Sequence, residues 1–301
     1  MCTLSPIILF TYKRLDTLKQ TIQSLQENYL AKDSDLYVFS DAAKTLKERD
    51  IILEVRDFVK SIDGFKSVTI FESKINKGLA NSIIDGVSEL LKNHESVIVL
   101  EDDLVSSPNF LNYMNQALNF YRNYDNVFSI SGFSIPIKNN QSEVDVYFTS
   151  RSSSWGWATW KDRWSKIDWD VRDYDQFKNN TKLRRNFNKM GSDMSDMLDR
   201  QMQGKINSWA IRWCYHQFKS NLFSVHPLVS KIENVGFNSS DATNTKEKFN
   251  RYQTKLDNGE KTDFLFSENI ILEPEIIQQF IMPFSIKTRI KYKILNLFFK
   301  N

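Results

Sequence analysis

Glu101, Asp102 and Asp103 stand in a row directly after the apolar run Val97-Ile98-Val99-Leu100. An apolar run rich in β-branched residues reads as a strand buried on both faces, and in an open α/β sheet ligands collect beyond the carboxyl ends of such strands. Three acids at that place call for a cation. If the chain stays extended through the triplet, neighbouring side chains point to opposite sides, so one of Asp102 and Asp103 holds the ion and the other reaches a different part of the ligand. Oxygen-only ligation suits Mg2+ or Mn2+, which use one or two carboxylates and fill their shell with substrate phosphate and water. This points to a nucleotide diphosphate. The same residues also suit a solvated acidic loop opening the next helix, with Ser106 or Ser107 as N-cap and Pro108 in its first turn.

Further groups would meet at that sheet edge: Thr11-Tyr12-Lys13-Arg14, Asp41 and Asn76-Lys77-Gly78. Asp41 suits hydrogen bonds from a base or ribose, Arg14 and Lys77 suit phosphate charge, and Gly78 permits close backbone approach. In Ser154-Trp155-Gly156-Trp157-Ala158-Thr159-Trp160, indole faces suit the C–H-rich side of a sugar ring. Trp155 or Trp157, on either side of Gly156, is the expected ligand neighbour, with a buried aromatic cluster as the competing reading. Of the three histidines, only His226 is a site candidate, as a metal ligand against a structural role. There is no paired His spacing for zinc, no Gly-x-Ser-x-Gly elbow, no Walker loop and no Gly-x-Gly-x-x-Gly fingerprint, which argues against P-loop and dinucleotide enzymes.

The elements that must position these groups are legible as alternating patterns. Apolar runs at Pro6–Phe10, Leu36–Phe39, Val68–Phe71 and Val97–Leu100 read as strands, and helical spacing follows the first three. A helix from about Pro108 to Tyr124 and a strand at Val127–Ser131 come next. Such alternation indicates βαβ units and a mostly parallel sheet. All seven tryptophans lie between Trp155 and Trp213, and the polar stretch Asn238 to Gly259 reads as a lid or an ordinary surface connection. In the tail, Ile286, Ile290, Ile294 and Leu297 fall on one helical face among Lys287, Arg289, Lys291, Lys293 and Lys300, with no acid. That pattern suits either an anionic lipid surface or packing against the body.

A chain of 301 residues with 41% hydrophobic and 26% charged residues can bury a sizeable core, and a formal charge of +3 gives no reason to expect nucleic acid as a partner. Cys2 and Cys214 alone can build neither a disulfide framework nor a cysteine zinc site, and a reducing cytoplasm is expected. Neither a secretory leader nor a membrane-spanning apolar run is visible, so the expectation is a cytoplasmic protein, peripheral on the inner face of the cytoplasmic membrane if the tail binds lipid.

Taken together, Pro6 to Arg14, Asn76-Lys77-Gly78-Leu79-Ala80, and Val99 to Leu104 followed by Pro108-Asn109-Phe110 resemble glycosyltransferases of the GT-A fold. They are similar to pieces of bacterial family 2-like enzymes and of the N-acetylglucosaminyltransferase I family, over about residues 5 to 245. Ser154-Trp155-Gly156-Trp157 is similar to a loop of bacterial polysaccharide enzymes of this kind. The resemblance implies an α/β, Rossmann-like GT-A fold, its mostly parallel sheet flanked by helices. Residues 1–132 would form the nucleotide-sugar-binding half, 133–282 a Trp-rich acceptor-side half of the same domain, and 283–301 the basic amphipathic tail.

It also implies a nucleotide-sugar donor, a UDP-sugar by preference, bound through Mn2+ or Mg2+. Asp103 would be the metal ligand, Asp102 would contact ribose or a metal-bound water, Glu101 would lie close to the donor sugar, and Asp41 would face the base. Inversion at the anomeric carbon needs a carboxylate base. Relatives carry an acid after the Trp of the segment Ser208-Trp209-Ala210, where this chain has Ala210, so Asp199, Glu233 and Asp241 are the candidate bases. Asn234-Val235-Gly236-Phe237 resembles the segment that closes over the donor phosphates. The expected activity is hexosyl or N-acetylhexosaminyl transfer to a glycan acceptor, lipid-linked, in bacterial surface polysaccharide synthesis. The rival readings are a non-catalytic carbohydrate-binding module and a sugar nucleotidyltransferase.

Overall fold

A computed structural model describes residues 4–138, 142–238 and 249–298. The four apolar runs form β1 (Ile7–Thr11), β2 (Asp35–Ser40), β3 (Ser67–Glu72) and β4 (Ser96–Glu101), with α1 (Leu15–Gln26), α2 (Arg49–Lys60) and α3 (Leu79–Leu90) between them. These strands are mutually parallel, with β1 between β2 and β4 and β3 outside β2. Then come β5 (Leu104–Ser106), α4 (Phe110–Phe120), β6 (Val127–Ser131), β7 (Val146–Thr149) and β8 (Trp157–Trp160). A helical stretch holds α5 (Lys161–Trp164), α6 (Tyr174–Lys178), α7 (Thr181–Phe187), α8 (Met194–Met202) and α9 (Trp209–Lys219). The chain continues through β9 (Phe223–Pro227), β10 (Ile232–Asn234), α10 (Pro274–Ile281) and α11 (Ile286–Phe298).

The main sheet runs β3-β2-β1-β4-β8-β6-β9-β7, with β8 antiparallel to both β4 and β6. β5 and β10 form a separate antiparallel ribbon. Successive side chains of β1 and β4 enter different cores. Ile7, Leu9, Ile98 and Leu100 pack with Leu18, Val55 and Met114, while Ile8, Phe10, Val97 and Val99 pack with Ile83, Val87 and Trp213. Helices therefore cover both faces, which is why these strands read as continuous apolar runs. On α3, a Cβ at Gly86 would lie 2.8 Å from the Phe10 ring, so only glycine lets this helix approach the sheet so closely.

Two expectations need correction. The stretch after the triplet is the strand β5, and α4 begins at Phe110 with Asn109 at the N-cap position, so neither Ser106 nor Ser107 opens it. Trp157 is core: its ring lies 4.4 Å from that of Trp213 and 5.0 Å from that of Trp209. Trp160 enters the opposite core and donates its indole N–H to the Leu118 carbonyl at 3.2 Å. The two cores on either side of the sheet cover both faces of β8, and truncating Trp157 to alanine would cost about 3–5 kcal/mol of stability.

Candidate active site

The carboxyl ends of β1 and β4 lie side by side, with Phe10 opposite Glu101. The strand stops at Glu101 and the chain turns at Asp102 and Asp103 before entering β5. That turn overrides the alternation of an extended chain and brings both aspartates to one group. Arg14, at the N-cap position of α1, donates from Nη1 to Asp103 Oδ2 at 2.7 Å and from Nη2 to Asp102 Oδ1. Asp102 Oδ2 also accepts from the Thr11 hydroxyl and the Tyr12 backbone N–H, each at 3.1 Å. One guanidinium thus serves two carboxylates, with Glu101 beside them.

Burial works against the Arg14 charge, but Asp102 and Asp103 outweigh it and hold the guanidinium above its ordinary pKa. Burial lifts the Asp102 carboxyl above its usual range; Arg14 opposes this and Asp103 adds to it. The Glu101 carboxyl is raised by burial first, then by Asp103 and Asp102. Among the described residues no group of three or more His, Cys, Asp or Glu is arranged to hold a metal ion. The fit for a divalent cation rests on Asp102 and Asp103, whose carboxylates already converge on one cationic group.

The ribbon of β5 and β10 roofs this place. Asn234 pairs with Leu104, Glu233 with Val105, and the Val235 N–H donates to the Asp103 carbonyl at 2.9 Å. A Cβ at Gly236 would run into the Asp103 carboxylate, so glycine is required for the segment to lie this close. Phe237 meets Trp155 edge-on with ring centroids 5.6 Å apart, and Trp155 also touches Phe133 and Tyr252. Half-buried Trp155 is therefore the tryptophan that borders the site. Gly156, with φ of 57°, turns the chain from Trp155 into β8.

Asp41 is tied to its neighbourhood more fully than expected. Its carboxylate accepts the backbone N–H groups of Ala42, Lys77 and Gly78 at 2.9, 3.0 and 2.9 Å. Asn76 donates to the Ala42 carbonyl at 2.7 Å, Lys77 pairs with Asp85 at 2.7 Å, and Gly78 starts α3 with φ of 73°. These residues form one knot at the ends of β2 and β3. Tyr12 was expected at this edge, but its partner Glu48 was not foreseen: the Tyr12 hydroxyl donates to Glu48 at 2.8 Å and accepts from the Lys44 N–H at 3.0 Å. Thr45-Leu46-Lys47-Glu48 carries the capping-box pattern that forms here, so its signal was present in the sequence.

The remaining candidates separate. Glu233 is exposed on β10, close to the triplet. Asp199 lies in the helical stretch, held by Arg184 at 2.8 and 2.6 Å and by the Tyr174 hydroxyl at 3.0 Å. Asp241 lies outside the described residues. His226 does not serve as a metal ligand. It is fully buried in β9, with β8 and β6 between it and β4, and has Nδ1 3.0 Å from the Phe133 carbonyl and Nε2 3.4 Å from that of Arg151. Burial pushes it down to about 4, against the pull of those two carbonyls, so it is a neutral core histidine.

Among solved structures the chain is similar to the mannosyltransferase PcManGT from Pyrobaculum calidifontis, in complex with GDP-Man and Mn2+. That match has 11% identity and a TM-score of 0.35 over 54% of this chain and 46% of the other. It is also similar to S. aureus TarS, at 12% identity and a TM-score of 0.38 over 55% of this chain and 30% of the other. Both matches span less than half the length of the other protein. No curated protein matches the sequence. The pattern of glycosyl transferase family 2 matches residues 7–192, more than half of the chain. That range takes in β1, the acidic triplet and β8 together, and the chain therefore belongs to glycosyl transferase family 2 and has the GT-A fold.

Proposed function

We propose that this family 2 member is a metal-dependent inverting transferase acting in bacterial surface polysaccharide synthesis. It would move a hexosyl or N-acetylhexosaminyl group from a nucleotide-sugar, a UDP-sugar by preference, to a lipid-linked glycan acceptor. The observation that carries this reading is the single Arg14 guanidinium shared by Asp102 and Asp103 beside Glu101. Burial and mutual repulsion oppose ionisation of Glu101 and Asp102 beside Asp103, and a divalent cation would favour the ionised aspartates and offset their charge beyond what one arginine supplies. Asp103 would be the ligand of Mn2+ or Mg2+, with Asp102 on ribose or a metal-bound water. When bound, the ion supplies positive charge to the departing diphosphate.

The chain's own groups divide the remaining work. Arg14 exchanges its carboxylates for donor phosphate, which its planar fork of N–H groups suits. The 235–237 segment covers the diphosphate and limits water, and Trp155 flanks the sugar. Glu233 takes the proton of the acceptor hydroxyl, whose oxygen attacks the anomeric carbon from the face opposite the diphosphate as the old C–O bond breaks. Its exposure next to the triplet supports Glu233 over Asp199, whose carboxylate is held by Arg184.

The test is release of nucleoside diphosphate from a panel of sugar nucleotides with Mn2+ or EDTA, comparing wild type with Asp103→Ala. One donor should be turned over only with metal, and the variant should lose at least about 100-fold. Turnover that persists in EDTA would remove the metal from the reading. If no donor is turned over or bound, the carbohydrate-binding module takes its place.

A further inference from the structure

The tail helix turns its apolar side outward. No residue of α11 is buried, and Ile286, Ile290, Ile294 and Leu297 are 62, 54, 46 and 59% exposed. At about 100° per residue these four side chains fall within an arc of about 80°. Thr288, Arg289, Tyr292, Leu295 and Asn296 are partly covered and mark the opposite, body-facing side. Contacts on that side fix the helix: Arg289 donates to the Ser192 hydroxyl at 3.0 Å, and Asn296 Oδ1 accepts the Phe249 N–H at 2.9 Å. The outward orientation is thus set by packing at both ends of the helix.

Charge borders this stripe on both sides. Lys287 and Lys291 flank one edge and Lys293 the other, all exposed, and residues 283–301 contain no acid. Glu273 and Glu275 do not neutralise the stripe; they line a cavity of about 1170 Å³ together with Tyr292, on the body-facing side. A second copy of the chain would bring these lysines against one another with no acid on the helix to meet them. An anionic lipid surface matches both features: acyl chains receive the isoleucines, and lysine stems lie along the apolar boundary with their ammonium groups at the phosphates. We propose that α11 is an in-plane docking helix that seats the protein on an anionic bilayer surface. The helix is about 20 Å long and lies on the bilayer without crossing it; no helix among the described residues is long and apolar enough to cross.

The test is sedimentation of the full chain with phosphatidylcholine vesicles, with and without about one-third phosphatidylglycerol, in the absence of any nucleotide-sugar. Its outcome is therefore independent of the activity proposed above. Binding should require the anionic lipid, weaken at about 0.5 M salt, and fall about tenfold in both Ile290→Asp/Ile294→Asp and Lys287→Gln/Lys291→Gln/Lys293→Gln. All these positions are exposed, and an unchanged melting temperature confirms that each variant is folded. Absence of vesicle binding by the wild type overturns the proposal. So does equal binding to neutral vesicles, or a dimer in solution that Ile290→Asp/Ile294→Asp dissolves.

Discussion

Two arginine–aspartate contacts in this molecule are both buried and have opposite electrostatics. Arg151 and Asp193 have side chains 13 and 9% exposed; Arg14, Asp102 and Asp103 have side chains 18, 4 and 12% exposed. Arg151 gives Asp193 two parallel bonds at 2.9 and 3.2 Å, a third to the Met190 carbonyl at 3.2 Å, and stacks 3.8 Å above the Phe284 ring. Burial raises the Asp193 carboxyl, but Arg151 more than offsets it and leaves it below the usual range. Asp102 also touches an arginine and stays above that range, because its burial outweighs the pull of Arg14 and the neighbouring Asp103 charge adds to the penalty. Deeper burial and a second acid at the same arginine separate them. A one-to-one pair closes its own charge and fastens the fold, whereas a shared arginine leaves charge for a ligand.

The largest expected effect is on the closed pair. Arg151→Met keeps much of the stem but leaves a buried carboxylate alone, and should lower unfolding free energy in urea by about 3–5 kcal/mol. Its affinity for Mn2+ should not change. A stable variant would mean that Asp193 finds water or another donor, and the contrast would fail at its structural end.

Arg14→Gln should cost less, about 1–3 kcal/mol in EDTA, because a neutral amide keeps one hydrogen bond and a raised carboxyl can stay protonated. Since a ligand that binds only the folded state stabilises it, Mn2+ should then raise the melting temperature of the variant more than that of the wild type. A smaller Mn2+ response in the variant would show that Arg14 does not compete for the place of a cation.

How far the two regions were legible in the sequence follows from how local their causes are. β1 to β4 and their helices announce themselves through short-range periodicity, and the sheet edge then fixes where Thr11, Arg14 and the triplet meet. The turn at Asp102 and Asp103 was not legible, because alternation assumes an extended chain and nothing nearby signals its end. The closure by Gly236 depends on β10 pairing with a strand about 130 residues away, a contact that residue types alone do not encode. Trp157 misled for the opposite reason. Its segment carries a glycine and polar neighbours like a loop, yet it inserts between β4 and β6, where any large side chain becomes core. Asp193 and Arg151 gave no signal at all, since 42 residues and several turns separate them.

Acid unfolding gives the finest test of the contrast. Asp193 has a folded pKa below its unfolded value of about 3.9, so its contribution is fully present above the unfolded value and is lost as pH falls through the folded one. Asp102 has the reverse sign: its raised carboxyl carries a penalty above its folded pKa, and protonation relieves it as pH falls. The two oppose each other in the curve of the whole protein, which is why a difference must be measured. The gap in urea stability between wild type and Asp193→Asn should stay flat above about pH 5 and narrow below about pH 4. Arg151→Met should begin to narrow its own gap to the wild type at a higher pH, already above about pH 4, since a buried carboxylate without its arginine gains from protonation there. A gap that stays constant down to about pH 3 would mean that Asp193 is not depressed, and the two arginines would then differ in position alone.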